Sequence, residues 1–334
     1  MVTIREVARE AGCSIATVSR VINRRGKYTS ETEIRVKKAV EQLGYRTNIT
    51  ARSLKKGSTM SIGFVTSEYR LLNHPEFVST AVKILQASEF KVEIVLGRTL
   101  NQCIAFLEEG RFDGLLITDS KRDERALGGL TGSRRPFVLL GGDTDREDIN
   151  RVEIDYFAGG YGVTRHLIRK GHSEILLLED RLPGFVSQEI RRGYLFALDE
   201  QGIGYRESLI VTQREGKATD QERFGYTALK ESLQEEHFSA VFATNDRIAY
   251  GAIRAMAESD LPVPDQCSVV GFGNQSLSEY LSPPLTTVVV PLIQMAELGT
   301  EILLNSITKA DNVVKSVSLK PQLVERKTVS KRLT

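Results

Sequence analysis

The sequence contains no tryptophan, three cysteines, four histidines and four methionines among 334 residues. Cys13, Cys103 and Cys267 are too few and too widely spaced for a disulfide framework, and none lies in a Cys-x-x-Cys pair. No stretch approaches the ~18 consecutive apolar residues of a membrane span. The opening Met1-Val2-Thr3-Ile4-Arg5-Glu6-Val7 lacks the apolar core of a secretion signal. These absences predict a cytoplasmic protein in a reducing compartment, with no membrane partner. His166 and His172 have no cysteine or paired carboxylate at metal-ligand spacing, so no metal is expected. No local signature supports a Ser/His/Asp arrangement. Gly271-Phe272-Gly273-Asn274-Gln275-Ser276 begins like a dinucleotide loop, but it lacks the third glycine and a clear helix behind it. The sequence therefore predicts no catalytic residues, no cofactor and no enzyme.

What is present is an ordinary globular balance, 41% apolar and 26% charged, in a length suited to about two domains. The net charge of +2 conceals an asymmetry. Residues 1–60 carry 13 Lys/Arg against 5 Asp/Glu, a net +8, whereas the remainder carries 32 against 38, a net −6. A basic head on an acidic body points to a polyanion met by the head alone. A solvated lysine-rich surface is the plain alternative.

The head reads as three short helices. Thr3 with Glu6 three residues on forms a capping box, and Ile4, Val7, Ala8 and Ala11 share one helical face. Gly12 ends that helix and Ser14 caps the next, Ile15 to Asn23, with Val18, Val21 and Ile22 inward and Ala16, Thr17, Arg20 and Asn23 outward. Ser30 is expected to cap a third, Glu31 to Leu43, with Ile34, Val36, Val40 and Leu43 inward and Gly44 as its stop. Two short helices across a glycine turn, braced by a third, make a helix-turn-helix. The major groove admits a helix whose outward face carries small residues and hydrogen-bonding heads; Ala16 and Thr17 allow approach, and the Arg20 fork matches guanine O6 and N7. The spacing of Ile15 to Val18 and Ile22 suits the core as well as it suits DNA.

The run Ala8-x-x-Ala11-Gly12-x-Ser14-x-x-Thr17-Val18-Ser19-Arg20-Val21-Ile22-Asn23 resembles the LacI/GalR (lactose/galactose-repressor) family of transcriptional regulators. The likeness continues through Glu31-Thr32, Leu43-Gly44-Tyr45 and Asn48-x-x-Ala51-Arg52-Ser53-Leu54. It extends to His166-Leu167-Ile168-x-x-Gly171-His172, Asn245-Asp246, Ser268-Val269-Val270-Gly271-Phe272 and Ser282-Pro283-Pro284-Leu285-Thr286-Thr287-Val288. The resemblance implies that Ile15, Ala16 and Arg20 read base edges while Thr17, Ser19 and Asn23 hold phosphates. The candidate DNA contacts are Thr3, Ser14, Ile15, Ala16, Thr17, Ser19, Arg20, Asn23, Tyr45, Asn48, Ala51, Arg52, Leu54 and Lys55. Residues 49–55 suit a helix capped by Asn48, yet about seven residues is below the ~12–15 an isolated helix needs in water. The resemblance makes this segment a hinge that folds on the operator, with Leu54 wedged into a kinked minor groove.

From Met60 onward short apolar runs alternate with helical patterns, predicting doubly wound parallel sheets of an α/β body. Strands are expected at Ile62–Thr66, Val92–Leu96, Gly114–Ile117, Phe137–Leu140 and Arg151–Ile154, then at Ile175–Leu178, Leu209–Val211, Ala240–Ala243 and Ser268–Val270. The resemblance makes the whole an all-α helix-turn-helix domain, 1–46, a hinge and linker, 47–59, and a two-lobed periplasmic-binding-protein-like body, 60–334. Lobe 1 would comprise about 60–156 plus 291–320, and lobe 2 about 157–290 plus 321–334.

Ligands of such folds bind at the carboxyl ends of the strands. The resemblance places Thr66, Ser67, Asp155, Asn245 and Asn274 near the cleft, and Arg191 and Arg192 are close enough in sequence to serve an acidic or phosphorylated effector. Otherwise both arginines are solvated helix residues. Three groups that hold sugar hydroxyls in relatives are replaced by Ile190, Gly273 and Val290, which counts against a neutral sugar in the usual pose. The expected function is a homodimeric DNA-binding regulator, a repressor, on a near-palindromic double-stranded operator. Its affinity would be set by a sugar-related or acidic small molecule between the lobes. A solute-binding protein, or a regulator governed by a protein partner with no small-molecule effector, is the alternative.

Overall fold

The computed structural model describes residues 2–22, 26, 28–44, 58–118, 123–133, 135–142, 144–180, 184–213, 220–309 and 313–332. They divide into two units, Met1–Met60 and Ser61–Thr334. No helix among the described residues is long and apolar enough to cross a membrane.

The first unit holds α1 (Ile4–Glu10), α2 (Ile15–Ile22) and α3 (Ser30–Gln42). The Glu6 carboxylate accepts the Thr3 backbone N–H at 2.7 Å, which starts α1 and holds that carboxyl below the usual range. Gly12 takes φ +60°, the left-handed conformation that lets α1 turn sharply into α2. The Ser14 hydroxyl accepts the Thr17 N–H at 3.1 Å and caps α2. Val7, Ala8, Ala11, Val18, Val21, Val36 and Ala39 form the core, with Val40 and Leu43 packed at its rim.

Two expectations for α3 are corrected. Thr29, not Ser30, is the cap, accepting the Thr32 N–H at 3.3 Å. Ile34 is 67% exposed, because the stripe at Val36, Ala39, Val40 and Leu43 already fills the inward face and leaves Ile34 on the opposite side.

In the second unit the first sheet contains β1 (Ser61–Thr66), β2 (Lys91–Leu96), β3 (Gly114–Thr118), β4 (Phe137–Leu140) and β5 (Arg151–Ile154). The second contains β6 (Ile175–Glu179), β7 (Ile210–Thr212), β8 (Ala240–Ala243) and β9 (Ser268–Val270). A short antiparallel ribbon pairs β10 (Thr287–Val289) with β12 (Gln322–Val324), and β11 (Ser316–Leu319) lies beside β5. The sheet orders are β11-β5-β4-β3-β1-β2 and β7-β6-β8-β9, parallel throughout.

Every residue of β3, β4, β6 and β8 is buried, as parallel strands covered on both faces require. On one face of the first sheet, Leu100–Glu108 and Glu124–Thr131 bury Cys103, Leu107, Leu127 and Leu130 against Leu115, Ile117 and Leu139. Pro75–Ala87 and Leu292–Thr308 pack on each other, and the latter lies over β3, β4 and β5.

The chain passes between the two lobes at three places: Ile154–Tyr156, Val289–Leu292 and Leu319–Gln322. These crossings form the hinge side of a cleft toward which the carboxyl ends of the central strands point.

Candidate functional site

The outward side of α2 presents Ile15, Ala16 and Arg20 to solvent. Ile15 is 46% exposed, which resolves its ambiguous periodicity in favour of the surface. Thr17 and Ser19 are half-buried beside them, and the Thr17 hydroxyl lies 2.9 Å from that of Ser14. The aliphatic part of Arg20 passes Gly26, at whose place a side chain would sit about one contact distance away, 3.5 Å from Cδ. Val18 and Val21 anchor the opposite side in the core. A small-residue face with one guanidinium fork thus stands on a braced helix, the shape that enters a major groove. Asn23, Tyr45, Asn48, Ala51, Arg52, Leu54 and Lys55 lie outside the described residues.

In the second unit the cleft holds a cavity of about 60 Å3, room for a few waters. Arg70 and His74 line it from the first lobe; Asp180, Ser187, Thr244 and Asn245 line it from the second. Tyr156 and Phe272 form an aromatic wall, their ring centroids 6.2 Å apart, and Val186, Gly273, Val290 and Leu292 complete the lining.

The predicted effector residues separate on this geometry. Asn245 reaches the cavity and caps the helix Asp246–Ala257, its Oδ1 accepting the Arg247 N–H at 2.8 Å. Ser67 caps the helix Glu68–Asn73 by accepting the Arg70 N–H at 3.2 Å, so it positions the turn that carries Arg70. The Thr66 hydroxyl accepts that of Thr118 at 3.0 Å. Asp155 caps Tyr156–Arg169 by accepting the Ala158 N–H at 2.8 Å. Asp155 and Arg192 both line a separate open depression with Asp145, Arg151 and Glu189.

Arg192 pairs with Glu189 at 2.9 Å and lies over the Phe157 ring, while Arg191 bridges Glu179 at 3.6 Å and Glu207 at 3.3 Å. Neither arginine lines the cavity. Asn274 sits in the left-handed conformation, φ +51°, with its Oδ1 accepting from Arg326 at 2.7 Å. Of the three departures from the sugar-binding pattern, Gly273 and Val290 line the cavity and supply no polar side chain; Ile190 is buried where the helices Tyr156–Arg169 and Gly184–Glu200 meet.

Sequence reasoning missed Arg70, His74 and Asp180, which belong to no motif and meet only through the fold. Asp246 is completely buried, and its carboxylate accepts from the hydroxyls of Ser278 and Thr287 and the backbone N–H of Gln275. Burial pushes its pKa up, and the three donors oppose that shift. Gly271 lies against this carboxylate, where a Cβ would meet it. The glycines of the dinucleotide-like loop therefore admit a carboxylate of the protein itself.

A helix-turn-helix head joined to a periplasmic-binding-protein-like body defines a DNA-binding transcription regulator. Residues 3–48 match the family described as bacterial regulatory proteins, lacI family, and residues 164–329 match the periplasmic binding protein-like domain. The HTH-type transcriptional repressor PurR of Yersinia pestis bv. Antiqua (strain Antiqua) is 32% identical over 339 residues, 99% of this chain and 97% of that protein. The Lac repressor dimer bound to operator and the anti-inducer ONPF is similar in structure, with TM-score 0.83 and 26% identity over 98% of this chain and 99% of that one. A complex of the transcriptional regulator CelR with cellobiose follows with TM-score 0.70 and 27% identity, over 98% of this chain and 100% of that one. The chain belongs to the LacI family of bacterial regulatory proteins, and it is a regulator rather than an enzyme.

Proposed function

We propose that the chain is a homodimeric repressor that reads a near-palindromic operator through α2 and releases or tightens it according to a small molecule in the interlobe cleft. The observation that carries this reading is the joint exposure of Ile15, Ala16 and Arg20 on a helix braced by a buried core, within a segment of net +8. Ile15, Ala16 and Arg20 contact base edges, Thr17, Ser19 and Asn23 contact phosphates, and Thr3, Ser14, Tyr45, Asn48, Ala51, Arg52 and Lys55 complete the grip. Leu54 enters the minor groove between the two half-sites.

Two exposed apolar sites suit the second copy. Ile94 and Leu96 lie on β2, the edge strand of the first sheet, and Leu277 and Tyr280 follow β9 on the second lobe. The Lac repressor relative is a dimer on its operator, which supports the same assembly here.

The test is fluorescence anisotropy of labelled genomic fragments, including the DNA upstream of the protein's own gene. A sequence-preferring complex should form. Its log affinity should fall with log salt by about 0.9 for each phosphate neutralised. A chain that binds every fragment equally, or none, is not an operator-reading regulator.

A further inference from the structure

β7 is the edge strand of the second sheet, paired among the described residues with β6 alone. The Gln213 N–H donates to the Glu179 carbonyl at 3.0 Å. By the alternation of a strand, the backbone groups of Val211 and Gln213 turn toward β6 and those of Ile210 and Thr212 turn away. The Ile210 N–H donates to the Glu207 carbonyl, which leaves the Ile210 carbonyl and both groups of Thr212 along the outer edge. Such an edge is a template for a further strand.

Beside it runs a groove of about 430 Å3 between β7 and the helix Gln221–Glu235. Its floor is apolar: Val211 from the strand and Phe224 and Ala228 from the helix, all packed in or on the core of the lobe. Its helix wall carries Glu231 and Glu235, one turn apart, both exposed and neither in an ion pair among the described residues. Glu236, at the end of the same wall, pairs with Arg206 at 3.0 Å. Two carboxylates at i and i+4 repel each other, and a cation between them relieves both.

The charge selects the occupant. A second copy adding its own β7 would bring the same glutamates to the groove, and a nucleic acid would bring phosphates; both are repelled. A lysine or arginine instead lays its aliphatic stem on Phe224 and Ala228 and carries its charge out to the carboxylates. The spacing agrees. Four residues of helix set Glu231 and Glu235 about 6 Å apart along the axis, and side chains on one face of a strand recur about every 6.7 Å. Side chains at the alternate positions lie beside Ile210 and suit small apolar residues.

We infer that this edge docks an extended segment of another protein, one that alternates Lys or Arg with small apolar residues and joins the second sheet as a further strand. Main-chain pairing supplies the affinity and the alternate side chains supply the selection. The groove uses no residue of α2 or of the interlobe cavity, so this inference and the operator reading fail separately.

The test is fluorescence anisotropy of a labelled peptide, Ser-Lys-Val-Lys-Val-Lys-Ser with blocked ends, against the full-length protein at fixed ionic strength. It should bind saturably, and a copy with Glu in place of each Lys at least tenfold more weakly. Of two further copies, N-methylated at the lysines or at the valines, one should lose at least tenfold while the other keeps its affinity, since one phase of a strand faces β7. Glu231→Gln with Glu235→Gln should weaken the parent peptide at least tenfold. Thr227→Arg, which places a like charge in the groove, should weaken it several-fold. Glu297→Gln with Glu301→Gln, a pair of exposed carboxylates on Leu292–Thr308, should leave it unchanged.

All these substitutions are at exposed positions, and thermal melts verify that each variant is folded. Absence of saturable binding overturns the inference. So does equal binding of the acidic copy, equal behaviour of the two methylated copies, an affinity unmoved by the Glu231 and Glu235 pair, or equal weakening by the control pair. The two glutamates would then serve only to keep the edge from pairing.

Discussion

His172 is buried with Nδ1 2.9 Å from the Ser239 hydroxyl and Nε2 3.2 Å from the Ser330 carbonyl. Burial lowers its pKa more than the Ser330 carbonyl raises it, and Arg332 and His166 push it down further. His166 is lowered as well, chiefly by burial. A depressed folded pKa means that the unfolded chain binds more protons below about pH 6.5, so this contribution to stability is complete above that pH and declines as pH falls. Thermal melts from pH 7.5 to 5.5 should show a falling Tm, and His172→Gln should flatten the slope. An unchanged slope would place the acid sensitivity elsewhere. At the other end of the chain, Arg20→Ala should relax base preference and cost about 1–3 kcal/mol of operator discrimination, read by competition between matched and single-base-altered sites. Equal discrimination in both proteins would remove Arg20 from the groove.

Helices of the second lobe meet in pairs through reciprocal glycines. Gly160 and Gly193 lie at the crossing of Tyr156–Arg169 and Gly184–Glu200; Gly225 and Gly251 lie at the crossing of Gln221–Glu235 and Asp246–Ala257. A Cβ at any of the four would meet backbone atoms of the facing helix. Rigid backbone cannot yield as a side chain does, so Gly193→Ala or Gly251→Ala should destabilise by about 1–3 kcal/mol or more, measured by urea unfolding.

The helix-turn-helix and the central strands were legible because each carries a periodic signal: a stripe at 3.6 residues, or an apolar run buried on both faces. Glu68–Asn73 was not legible, since six residues hold too few positions for a stripe. Glu124–Thr131 was hidden by Gly128 and Gly129, which lower helix propensity. The ribbon β10–β12 has three residues per strand and is defined by its partner alone. The same limit explains the cleft. Asn245 was visible through its neighbourhood, whereas Arg70 and Asp180 lie 110 positions apart and only the fold brings them to one cavity.

For the whole protein, dimerisation and DNA binding should fail together. Leu96→Glu and Tyr280→Glu place a charge on the two exposed apolar sites, Tyr280 being 76% exposed. Each should shift the protein toward the monomer in sedimentation velocity, with parallel loss of operator affinity. Retention of the dimer in the double variant would exclude these surfaces as its contacts. Leu54→Ala should weaken operator binding while leaving effector binding intact, and calorimetry beside anisotropy separates the two.

The three crossings between lobes carry one more implication. The first sheet is completed by β11, contributed long after the chain has entered the second lobe, and Thr328 then returns to bond Val269 and Thr286. Each half is therefore finished with material from beyond the other, like two pages sewn with a single thread. No single cut in the gene yields either half whole. The lobes are bound to melt, and to be inherited, as a pair.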